Sequence, residues 1–98
     1  MKNLQEYLAQ KNSWNSLVGM PALDLNSAKD RKAIAQGIDS ELSPENLHCD
    51  GEISQAQAMK KLRRLHKCAA QLKQLDPTVK FYEYWANKGW QLAYRCYN

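Results

Sequence analysis

Five side chains are of the types that hold a transition metal or pair a nucleophile with a base: His48, Cys49, His66, Cys68 and Cys96. A structural zinc site wants two close pairs at short spacing, such as C-x2-C with H-x3-5-H. Here one pair is adjacent and the other, His66 and Cys68, is two apart in a segment that reads as helix. Residues two apart on a helix point about 200° away from each other, so both cannot reach one ion. The expectation is no metal and no cofactor. A Cys49–His48 dyad needs an imidazole folded back onto the sulfur, which adjacent residues rarely achieve. No G-x-S-x-G elbow, P-loop, G-x-G-x-x-G or H-E-x-x-H occurs, so no catalytic residue is assigned and the chain does not read as an enzyme.

Charge and aromatic character carry more. Between Asp39 and Glu52 stand five acids and no lysine or arginine; between Ile53 and Leu75 stand six bases and no acid. Lys60, Arg64 and Lys67 fall on one face of a helix, with Lys61 and Arg63 flanking. Such a row is able to neutralise phosphates, which makes nucleic-acid binding through helix 55–75 one reading. The plainer one is a solvated face neutralised by the acidic segment before it. Two helices, a basic third and a hairpin also follow the order of a winged helix-turn-helix. That motif needs a turn of only three to four residues before its recognition helix, and the acidic segment is far longer. The third reading is protein docking. Three tryptophans and five tyrosines exceed what so small a core easily encloses, and aromatics with arginine anchor interfaces. The candidate partner-binding residues are Lys60, Arg63, Arg64, Lys67, Tyr82, Tyr84, Trp90 and Arg95.

The elements that must position these side chains follow from spacing. Leu4, Tyr7 and Leu8, continued by Trp14, Leu17 and Val18, predict a helix over 3–17 that stops at Gly19-Met20-Pro21. Ile34, Ala35, Ile38 and Leu42 predict a second over 27–39, its end blurred by Gly37, which weakens a helix by about 1 kcal/mol relative to alanine. Ser43-Pro44-Glu45 reads as one capped turn, and Asp50-Gly51 as a bend. Ser54 with Gln57 has capping-box spacing and opens the third helix, 55–75. Its stripe is Ala58, Leu62, Leu65, Ala69 and Leu72, and Asp76-Pro77 ends it. From Trp90 to Tyr97 apolar and polar residues alternate, and Asn87-Lys88-Gly89 suits a connection, so an aromatic β-hairpin is expected over 79–97. One helix from Phe81 to Cys96 competes with it. The expected class is α+β in one domain, 1–98, with Leu4, Leu8, Trp14, Ile34, Ile38, Leu62, Leu65, Leu72, Phe81 and Leu92 as core.

The run Ser43-Pro44-Glu45-Asn46-Leu47-His48-Cys49-Asp50-Gly51-Glu52, followed by a basic helix, resembles small accessory proteins of tailed phages and prophages. The resemblance spans residues 41–76 and implies a setting: a bacterial cytoplasm, where small non-enzymatic phage proteins bind host nucleases, defence complexes or recombination machinery. It carries no functional residue with it. Composition agrees with such a setting. The net charge is +4, hydrophobic residues are 44% and charged ones 24%, ordinary globular usage rather than disorder. No apolar stretch reaches the roughly 18 residues of a membrane span, and no apolar run follows Lys2, so neither a membrane anchor nor a signal peptide is expected. Three widely spaced cysteines do not make a disulfide framework. The reading is an accessory protein that binds a host protein complex and inhibits or redirects it, with nucleic-acid binding as the alternative.

Overall fold

The computed structural model describes residues 2–42 and 55–81. They hold three helices: α1 (Lys2–Leu17), α2 (Ala28–Leu42) and α3 (Gln55–Leu75). α3 is the central element and packs against both α1 and α2. The reason is its longest apolar stripe: Leu62, Leu65, Cys68 and Leu72 are all buried. Leu4 and Tyr7 of α1 meet that stripe from one side, and Ile34, Ala35, Ile38 and Leu42 of α2 from the other. Burying side chains of this size is worth roughly 1.5–3 kcal/mol each.

Local chemistry ends each helix where the fold needs it. Gly19 takes a positive φ of 76°, Met20 N–H donates to Asn15 C=O at 2.7 Å, and Gly19 N–H donates to Ser16 C=O at 3.4 Å. This is the Schellman closure, which favours glycine because a Cβ is strained in the left-handed region. The following linker is held by Asn12, whose amide donates to Leu23 C=O at 3.0 Å and accepts from Leu23 N–H at 2.7 Å. Ser27 caps α2 by accepting from Asp30 N–H at 3.3 Å. Beyond α3, the Asp76 carboxylate accepts from Thr78 N–H at 3.0 Å, from the Thr78 hydroxyl, and from Arg31 Nε at 2.7 Å. Arg31 also donates to Leu25 C=O at 2.9 Å, so one guanidinium ties the exit of α3 to the entry of α2. These donors hold the Asp76 carboxyl down at about 2, the Thr78 hydroxyl first and Arg31 next.

The helix positions expected from spacing agree closely, and α2 runs three residues further than expected, to Leu42. Gly37 does not interrupt it. A Cβ built there would lie 3.3 Å from the Tyr7 hydroxyl, so the missing side chain is the room that hydroxyl occupies. The α+β class is corrected: among the described residues there are three helices and no strand, and the architecture they define is all-helical. The expected hairpin over 79–97 meets the described residues only at 79–81, which carry no strand pairing. Val79 N–H is used to close a turn onto Asp76 C=O at 3.2 Å, and its side chain is buried in the helical core. Residues 82–97, the Ser43–Leu47 turn and the Ser54 cap lie outside the described residues. A second correction concerns Trp14, expected in the core and found 62% exposed. At that height α1 runs beside Lys61 and Arg64, the polar flank of α3, with Leu65 the one leucine of the stripe bordering the same cleft. Leu8 and Phe81 are half-buried against the core, and Leu92 lies outside the described residues.

Candidate docking site

Lys60, Arg63, Arg64 and Lys67 recur at i, i+3, i+4 and i+7, which places them on one face of α3 beside the buried stripe. α1 runs antiparallel to that face. Cys68 donates to Asn3 C=O at 3.3 Å, Gln71 accepts from Leu4 N–H at 2.8 Å, and Arg64 donates to Gln10 Oε1 at 3.3 Å. Between the two helices lies an open cleft of about 660 Å³, lined by these four bases and by Asn3, Glu6, Ala9 and Gln10. Four of the five basic candidates, all on α3, are therefore brought to one place, and the fifth, Arg95, lies outside the described residues. Among the described residues, Glu6 is the one acid lining the cleft.

A second cleft, of about 340 Å³, adjoins the first toward the end of α1. Gln10 and Arg64 line both, and Trp14, Lys61 and Lys11 complete its rim. Its inner wall is a fixed polar cluster. The Tyr7 hydroxyl donates to Glu41 at 2.5 Å, and Lys11 Nζ sits 3.6 Å from that carboxylate and 5.6 Å from the Tyr7 ring centroid. Burial, then the bond to Glu41 and its charge, push the Tyr7 phenol far above its ordinary value near 10. Past Trp14, α1 and its cap expose Leu17 (80%), Val18 and Met20. The composite is a basic cleft leading to a rim of Trp14, Lys61 and Lys11, past which apolar side chains are exposed.

The remaining candidates distribute as follows. Cys68 is fully buried among leucines, and burial pushes its thiol up, which suits a packing role rather than a nucleophile. Among the described residues no three His, Cys, Asp or Glu side chains gather as metal ligands. Also among them, no helix is long and apolar enough to cross a membrane. Tyr82, Tyr84, Trp90 and Arg95, with His48, Cys49 and Cys96, lie outside the described residues. Of the acids before α3, Glu41 is engaged with Tyr7 and Lys11 of α1, in the cleft that Lys61 and Arg64 also line. What the sequence reading missed is the contribution of α1: Gln10 and Trp14. The signal was the apolar material at 14, 17 and 18, which extends past the helix turns that Leu4, Tyr7 and Leu8 need for the core.

The chain matches no family model, no curated protein and no solved structure.

Proposed function

We propose that this chain is a non-enzymatic accessory protein of the phage type that binds a host protein complex in a bacterial cytoplasm and inhibits or redirects it. Its docking surface is the α1/α3 cleft with the Trp14 rim. The observation that carries this reading is the joining of the two surfaces through Gln10 and Arg64: four bases from one helix meet an exposed tryptophan from another. Exposed aromatics beside arginine are what interface hot spots are built from, while clustered lysines accelerate and orient the approach of an acidic partner. The resemblance of residues 41–76 to phage accessory proteins supports the setting.

A basic row also suits phosphate, which is the alternative, direct nucleic-acid binding through α3. Against it stands Glu6, a carboxylate inside the cleft that a phosphate backbone would have to pass. Affinity purification of the tagged chain from a bacterial host, with mass spectrometry of what co-purifies, tests the proposal. A host protein complex recovered in stoichiometric amount is the expected result. Recovery of none, with a mobility shift of DNA or RNA by the free protein, would replace the proposal with the alternative.

A further inference from the structure

Building on that docking reading, we infer that the α1/α3 cleft receives an acidic amphipathic helix of the partner, with acids at i, i+3, i+4 and i+7 and an apolar residue at the end that meets Trp14. Three observations lead there. First, the cleft is a groove between two antiparallel helices, the shape into which a third helix lies along its length. Second, its charge is ordered. Lys60 and Lys67 are seven residues apart, so the row extends about 10 Å along α3, two turns of helix. Acids on one face of a facing helix repeat with the same period and come opposite Lys60, Arg64 and Lys67 in register. Third, the groove has a direction. Lys67 lies at the Asn3 end; at the other end Lys61 and Lys11 share the cleft with Trp14, and the exposed Leu17, Val18 and Met20 follow past it. Glu6 within the row adds a specificity mark, because the occupant has to offer a donor or a base there. A phosphate backbone, negative at every step, would be repelled by the Glu6 carboxylate there.

The test uses the full chain and fluorescence anisotropy with three labelled probes. One is a helical peptide with glutamates at i, i+3, i+4 and i+7 and a leucine in the last turn. The second has the same composition with the glutamates spread around all faces. The third is a single-stranded oligonucleotide of mixed sequence. The ordered peptide is expected to bind about tenfold tighter than the scattered one, and to lose at least about that factor against Lys60→Gln/Arg64→Gln/Lys67→Gln. Trp14→Ala, at an exposed position, should weaken the ordered peptide and leave the scattered one unaffected. Circular dichroism of both variants verifies that they are folded. Equal binding of the two peptides, or tighter binding of the oligonucleotide than of either, overturns the inference. If the ordered peptide fails while the host capture succeeds and depends on the same bases, the helical occupant is wrong and the docking reading stands.

Discussion

Gly37 and Tyr7 give a prediction in which the sign of a mutation reverses with its background. Replacing a helix-interior glycine by alanine ordinarily stabilises by about 1 kcal/mol. In the parent chain, however, the new Cβ would sit 3.3 Å from the Tyr7 hydroxyl, closer than most such contacts tolerate. That oxygen has little freedom, because it donates to Glu41 at 2.5 Å. A hydrogen bond to a charged group contributes roughly 1.5–3 kcal/mol. The Glu41 side chain is 29% exposed, so water recovers part of any loss, and about 1–2 kcal/mol remains at stake. Losing half of this bond already offsets the helical gain. Gly37→Ala is therefore expected to leave the parent unchanged or to destabilise it by up to about 1 kcal/mol. Tyr7→Phe alone should cost about 1–2 kcal/mol by removing the donor. In the Tyr7→Phe chain the clash is gone, and Gly37→Ala should stabilise by nearly the full 1 kcal/mol, about what helix propensity alone supplies. Urea unfolding of the four proteins, followed by circular dichroism with the slopes compared, gives the coupling directly. Gly37→Ala stabilising both backgrounds equally would refute the reasoning.

Leu72 is fully buried, whereas Leu65 borders the second cleft, so Leu72→Ala should cost about 3–5 kcal/mol and Leu65→Ala about 2–3, because the latter cavity opens to solvent; equal losses in urea melts would contradict this ordering. The Asp76 carboxyl is held at about 2 in the fold against about 4 in an unfolded chain, so its contribution is complete above pH 4 and fades as pH falls toward 2. Asp76→Asn should therefore flatten the stability profile over that interval, and an unchanged acid limb would refute the Arg31–Asp76–Thr78 account. The Tyr7 phenol is raised, so folding holds its proton and stability drops as pH rises above about 10. The parent should lose stability there more steeply than Tyr7→Phe, and parallel alkaline limbs would oppose that.

The helices were legible because their stripes repeat at helical spacing and their stops are chemical. Gly19 and Asp76-Pro77 act through backbone geometry that a sequence states outright. Leu62, Leu65 and Leu72 are buried as their spacing requires. The basic face was equally legible, since i, i+3, i+4 and i+7 fix a common side of any helix. Gly37 misled because its value lies in a contact from another helix, thirty residues away along the chain, which propensity does not encode. Trp14 misled for a related reason. Hydrophobicity ranks a tryptophan as core, but the α1–α3 alignment sets Trp14 beside Lys61 and Arg64. The hairpin expected over 79–97 does not start at 79–81, where the Asp76 turn uses the Val79 amide and a buried side chain fixes the segment to helices; the alternation at 90–97 lies outside the described residues. Tertiary contacts decided each of these three places.

The central claim is that the joined basic and Trp14 surface docks a host protein. It is tested most directly by repeating the host capture with three folded chains: the parent, Lys60→Ala/Arg64→Ala/Lys67→Ala, and Trp14→Ala. The account predicts that the basic triple variant loses most of the captured complex at low salt, through slower association, and that Trp14→Ala releases it faster at any salt. Capture of the same complex in undiminished amount by both variants would contradict it.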